Sequence, residues 1–214
     1  MIKSISKNAL ALGLVAGACV AILSLVNQQT APRISEQRLA SKLAILQDVL
    51  PQTDIGHSLL QDCVAVTDAE LLGRDSPQQI YRWRNNGELA AYIVEATAPD
   101  GYSGNIDLLV AISHDGIILG SRVLEHKETP GLGDKIEARR SDWIFSFSGK
   151  TVTADNTAKW AVKKDGGEFD QFTGATITPR AVVKAVRQAA LYVQQHPELA
   201  TQTANCPATE GEIK

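Results

Sequence analysis

At 214 residues, 44% hydrophobic and 21% charged, the chain has material for one well-buried globular domain and a short appendage, and is not composed like a disordered polymer. A net charge of -3 leaves no basic footprint, and no finger, zipper or recognition-helix pattern occurs, which excludes nucleic acid as an expected partner. Cys19, Cys63 and Cys206 lie far apart with no C-x-x-C or paired Cys/His spacing, so neither a metal site nor a protein-ligated cluster is expected.

From Asn8 to Val26 the chain reads NALALGLVAGACVAILSLV. That is roughly 19 uncharged residues, about the hydrocarbon thickness of a bilayer at helical rise. The run predicts a single transmembrane helix over 8–26, since core helices of soluble proteins seldom stay uncharged so long. Lys3 and Lys7 precede it as in a secretory signal, but the run is long for one and no A-x-A-like site follows before Pro32. An uncleaved signal anchor is therefore expected. Lys3 and Lys7 on one side balance Arg33, Arg38 and Lys42 on the other, so charge alone leaves the orientation open. A single N-terminal helix with basic residues just before it suits residues 1–7 on the cytoplasmic side of a membrane and the folded domain on the other side.

After the anchor, Leu39, Leu43, Leu46 and Leu50 recur at three- and four-residue spacing before Pro51, which predicts an amphipathic helix leaving the membrane. The rest of 27–79, with Gly73 and Pro77, is of mixed polarity and reads only as a connecting region. From Ile80 the pattern becomes strand-like: IYRWR, a turn at Asn85, Asn86 and Gly87, then LAAYIVEATA. A second hairpin joins Asp107–Ser113 to Ile117–Glu125 through His114, Asp115 and Gly116, where Asp-Gly suits a tight turn. Near the end, Val182, Val183, Val186, Ala189, Ala190 and Val193 share one face of a helix over Pro179–Gln195, with Thr178 as its expected cap. Residues 197–214 are small, polar and acidic and read as a mobile tail. A disulfide between Cys63 and Cys206 is open in an oxidising compartment, but the odd cysteine total and the place of Cys206 in that tail favour unpaired thiols. The expected fold class is α+β: one transmembrane helix, then a domain over 80–196 with a mainly antiparallel sheet flanked by helices.

The turn Asp170-Gln171-Phe172-Thr173-Gly174-Ala175-Thr176-Ile177-Thr178-Pro179 is dense in hydroxyls and runs straight into that helix. Gly174 permits close approach of a ligand, and the unpaired amides of the first helical turn favour an anion such as phosphate. On physics alone, threonines that merely cap and shape the loop are the commoner case. Upstream, His126-Lys127-Glu128-Thr129-Pro130-Gly131-Leu132-Gly133 pairs a fixed backbone at Pro130 with close-approach glycines and an apolar Leu132, which suits a flat ring or, equally, a tight loop closing a strand.

The run D-Q-F-T-G-A-T resembles the Asp-x-x-Ser/Thr-Gly-Ala-Thr flavinylation motif of FMN-binding domains. The loops Gly101-Tyr102-Ser103-Gly104 and His126–Gly133 resemble the other two motifs of the same domain, in the same order, behind one anchor. Together they resemble the RnfG family, the G subunits of Rnf electron-transport complexes, related to the C subunit of the sodium-translocating NADH:quinone oxidoreductase. The resemblance implies covalent FMN, joined through its phosphate to Thr176 by a flavin transferase that uses FAD, with Asp170, Thr173, Gly174 and Ala175 as the recognition pattern. It also implies a site formed with Thr178, Glu128, Thr129, Gly131, Leu132, Gly133, Gly101, Tyr102 and Gly104. The chain would then be an electron carrier among other subunits of a membrane complex that couples electron flow to ion movement. No catalytic acid or base is expected, because electron relay needs none. Two rival readings stay open: an anchored module that binds a phosphorylated ligand reversibly, and an assembly subunit without cofactor. A hydrolase finds no support, since no G-x-S-x-G elbow or matching nucleophile, histidine and acid stand out.

Overall fold

The structure, a computed structural model, describes residues 2–50, 58–85 and 87–206, and the chain falls into two compact units, Met1–Ala44 and Ile45–Lys214. Helix α1 spans Ile2–Val49, so the expected anchor and amphipathic helix are one element. Pro32 lies inside it and withdraws one i→i−4 donor without ending it. The stretch Asn8–Ile34, 27 residues with mean hydropathy 2.6, is long and apolar enough to cross a membrane by length and composition. Its large apolar side chains are exposed: Leu10, Leu12, Leu14 and Leu23 are each at least two-thirds so. The side chains of Leu39 and Leu43, and Pro51, lie outside the described residues, whereas Leu46 and Leu50 are buried in the second unit.

After the short helix α2 (Ser58–Gln61), five strands follow in sequence: β1 (Cys63–Asp68), β2 (Arg74–Asn85), β3 (Glu88–Gly101), β4 (Gly104–Ser113) and β5 (Ile118–Glu125). They form an antiparallel meander in the order β1-β2-β3-β4-β5. Both expected hairpins are present. The β4–β5 turn closes with the Gly116 amide donating to the Ser113 carbonyl at 2.9 Å, and Gly116 supplies the required positive φ. At the β2–β3 turn, Asn86 lies outside the described residues. β1 and the first half of β2 were not expected, and the compact unit that holds the sheet begins at Ile45.

Both faces of the sheet are covered, which is why β3 and β4 read as almost continuous apolar runs. Tyr92, Val94, Leu108 and Val110 meet helix α3 (Ile177–Gln195), which buries Val182, Val183, Val186, Ala189 and Ala190. On the other face, Ile93 pairs with Ala111, and Leu109 and Ala111 pair with Arg122 and Gly120 of β5. Against this face rests the last turn of α1. A Cβ at Gly120 would stand 2.7 Å from the Val49 carbonyl, and Arg122 Nε pairs with Asp48 at 2.6 Å.

Between β5 and α3 the chain makes short 3-10 turns around an aromatic cluster. Phe147 sits between Trp143, Trp160 and Phe169, with ring centroids 4.7–6.2 Å away. Residues 197–206 are not a loose tail. A 3-10 turn at Pro197–Ala200 is followed by a disulfide between Cys206 and Cys63, and the Asn205 amide donates to the Cys63 carbonyl at 3.0 Å. The buried Arg82 guanidinium donates to the carbonyls of Leu199 (2.9 Å) and Gln202 (2.5 Å). The exposed edge of β1 is thereby covered, and a strand edge left bare invites pairing with another chain. Residues 207–214 lie outside the described residues.

Candidate functional site

Three loops converge at one end of the β3–β4 hairpin around a cleft of about 270 Å³. It is lined by Tyr102 from the β3–β4 turn, Glu128, Thr129, Leu132 and Gly133 from the loop after β5, and Gly174 to Thr178 at the start of α3. The pieces are built for close approach. Gly101 pairs with Gly104 across a two-residue turn, where a Cβ on Gly101 would lie 2.2 Å from the Gly104 carbonyl. Phe172 to Ala175 form a turn closed by the Ala175 amide on the Phe172 carbonyl at 3.2 Å, with Gly174 at φ 82°. At Gly133 a Cβ would meet Glu128 Cβ at 2.9 Å and Thr178 Oγ1 at 3.0 Å. Leu132 and Ile177, each nearly half exposed, and the exposed Tyr102 supply apolar surface to the cleft and its rim.

The three threonines differ in what their hydroxyls do. Helix α3 starts two residues earlier than expected, so Thr176 and not Thr178 is its cap, and Pro179 is the third helical residue. Pro179 fits there because no first-turn amide has an intrahelical acceptor. The Thr176 hydroxyl makes no capping hydrogen bond, although that position usually makes one, and it faces the cleft half-buried. Thr178 is 1% exposed and donates its hydroxyl to Glu128 Oε2. Thr173 is exposed on the preceding turn, outside the lining.

Behind the cleft runs a polar chain. Glu128 Oε1 accepts the Ser103 amide at 2.8 Å, and the Glu128 amide donates to His126 Nδ1 at 3.0 Å. With Nδ1 accepting, His126 carries its proton on Nε2 and donates it to Glu137 Oε1 at 2.7 Å. Arg139 also donates to Glu137, and this bond, aided by His126, holds the Glu137 carboxyl below its ordinary range. None of these links beyond Glu128 is readable from sequence, because partners two and eleven residues apart in irregular chain leave no period to detect. Nor does anything in the sequence mark Ile177 apart from an ordinary helical residue.

Of the residues singled out in advance, Tyr102, Glu128, Thr129, Leu132, Gly133, Gly174, Ala175, Thr176 and Thr178 meet at the cleft. Gly101, Gly104 and Gly131 shape its loops without lining it. Asp170 points away: its carboxylate, largely exposed, pairs with Lys163 at 2.6 Å, and its carbonyl accepts the Trp143 indole N–H at 2.7 Å. Among the described residues no group of three or more His, Cys, Asp or Glu is placed to hold a metal ion.

A family model described as FMN-binding domain matches residues 101–191, which include every residue lining the cleft. Another, described as RnfG N-terminal region, matches residues 1–49. The chain is 49% identical to the G subunit of the ion-translocating oxidoreductase complex of Pseudoalteromonas atlantica, over 96% of this chain and 95% of that one. It is 50% identical to the protein of that name from Salmonella typhi (92% and 95%) and 48% identical to the one from Escherichia coli O157:H7 (96% and 99%). Among solved structures, Shewanella oneidensis NqrC is similar with TM-score 0.49 and 22% identity, over 71% of this chain and 79% of that one. With about half its residues identical to theirs over almost the whole of each chain, this protein belongs to the family of G subunits of ion-translocating oxidoreductase complexes.

Proposed function

We propose that this chain is the electron-carrier subunit of a membrane-bound, ion-translocating oxidoreductase complex, and that it holds FMN by a phosphoester to Thr176. The observation that carries the reading is the Thr176 hydroxyl: unengaged at a helix cap, in a cleft bounded by three glycine-bearing loops. The cleft fits the group. The amides of Ile177 and Thr178, unpaired by their place in the first turn, and the helix dipole behind them favour a phosphate on Thr176. Leu132, Ile177 and Tyr102 offer surface for a flat ring, and Gly174 lets it lie close to the backbone. Attachment requires FAD and a flavin transferase: the Thr176 oxygen bonds to the FMN phosphorus, the pyrophosphate bond breaks, AMP leaves, and the hydroxyl proton passes to a base.

Bound FMN supplies the redox chemistry, one or two electrons at a time. The protein's part is to keep the carrier from dissociating and to hold it at a fixed place relative to its redox partners in the complex. Asp170 and Thr173, exposed on the approach to Thr176, are suited to be read by the transferase. The anchor is Asn8–Ile34, spanning the inner membrane with the N-terminus cytoplasmic and the domain periplasmic. The Cys63–Cys206 disulfide supports that side, because such bonds persist in oxidising compartments.

The test is the intact mass of denatured protein produced with the transferase. The expected result is the mass of FMN less water, mapped to Thr176 and absent from Thr176→Ala. An unmodified mass beside an active transferase sinks the covalent carrier. Flavin retained by Thr176→Ala until denaturation points instead to a reversible phosphate-ligand module.

A further inference from the structure

Glu128 lies at the back of the cleft, 4% exposed, yet no Lys or Arg pairs with it among the described residues. Both carboxylate oxygens are already taken by neutral donors, the Ser103 amide on Oε1 and the Thr178 hydroxyl on Oε2. Its own amide is tied to His126. One side chain thus joins the β3–β4 turn, the loop after β5 and the first turn of α3, the three segments that make the cleft. Gly133 packs so tightly against Glu128 Cβ and Thr178 Oγ1 that the arrangement has little room to rotate into another.

We propose that Glu128 is a positioning residue and not a flavin ligand: by holding Thr178 and Ser103 in one register, it aims the Thr176 hydroxyl, two residues from Thr178, at the phosphorus it must attack. The inference rests on the covalent reading above. Misplacement of a reacting group by about 1 Å costs on the order of 100-fold in rate, so loosening this tie acts on the chemical step. The surface that meets the transferase, with Asp170 and Thr173 pointing outward, is left intact.

The experiment measures flavinylation of the full chain in detergent, with purified transferase and FAD, as rate against transferase concentration. Glu128→Ala and Thr178→Val are each expected to lower the maximal rate on the order of 10- to 100-fold with the half-saturating concentration unchanged. Because they cut the same bond, the double variant is expected to be no slower than the slower single one. Glu128→Gln is expected to restore most of the rate: its amide oxygen still accepts from Ser103, and its NH₂ donates to a Thr178 hydroxyl turned to accept. Circular dichroism and an intact disulfide establish folding, and Thr178→Val, nearly isosteric, carries the test if Glu128→Ala does not fold. Wild-type rates in folded Glu128→Ala and Thr178→Val overturn the proposal, as does a Gln variant as slow as Ala, which would show that charge matters and the tie does not. An unmodified wild-type chain, by contrast, overturns the covalent reading itself.

Discussion

Thr176 and Thr178 stand two residues apart with opposite hydrogen-bonding fates: the first hydroxyl faces the cleft unengaged, and the second is held by Glu128. Both are threonines at a helix start, and the cap was expected at Thr178; a partner fifty residues away, Glu128, is what takes Thr178 out of that role. What was legible at this scale were residues with local constraints: Gly174 at positive φ, and the glycines bracketing Leu132. Glu128 was named as a site residue, but its tie to Thr178 was not legible, and Glu137 was not named at all, since its importance comes from Arg139 and His126 converging on it. Its carboxyl titrates below the ordinary range in the folded chain, so its contribution is fully present above the unfolded value of about 4.3 and is lost as pH falls through the folded value. The difference in urea midpoint between wild type and Glu137→Gln is therefore expected to be constant from neutral pH down to about pH 5 and to shrink towards zero in stronger acid. A difference that grows as pH falls would contradict the assignment.

Among the elements, the hairpins at Gly87 and Gly116 and all but the first two residues of the helix over 177–195 were legible because turn chemistry and period 3.6 are local signals. β1 was not. It is six residues long, only Cys63 and Val64 are fully buried, and its neighbours on the far side are residues 205–206, well over a hundred positions away. The reading of residues 197–206 as part of a mobile tail failed for the same reason: their polar composition is that of a loose terminus, while Arg82, Asn205 and the disulfide fasten them. The bridge closes a loop with a sequence separation of 143. Such a loop restricts the unfolded chain strongly, and loss of the bridge is expected to cost about 2–5 kcal/mol. Cys206→Ser should lower the urea midpoint accordingly with the sheet intact by circular dichroism, and reduction of the wild type should reproduce it. An unchanged midpoint in both would mean that Arg82 alone holds the segment.

For the whole molecule, the division into an apolar helix and one folded domain was legible from a contrast of composition, but the boundary was not. Helical periodicity runs on to Leu50 and does not say where the helix stops serving one unit and starts serving the other. In the domain unit, Leu46, Val49 and Leu50 are 1%, 2% and 4% exposed, and Val49 lies against Gly120 of β5, whose neighbour on β4 is Ala111. Burying each is worth about 1.5–3 kcal/mol, or roughly 5–9 for the three as an upper estimate, against a total stability of about 5–15 for a domain. A chain that starts at Ile45 is therefore expected to be a folded, soluble monomer that accepts flavin on Thr176, since it keeps this turn and the Asp48–Arg122 pair. One that starts at Ser58 leaves an apolar sheet face and the edge strand β5 uncovered, and is expected to aggregate or to unfold at much lower urea. Size-exclusion chromatography and urea unfolding of the two fragments decide it. Midpoints that agree would mean that the turn is carried by the domain without supporting it, and that the sheet and α3 alone make a stable core.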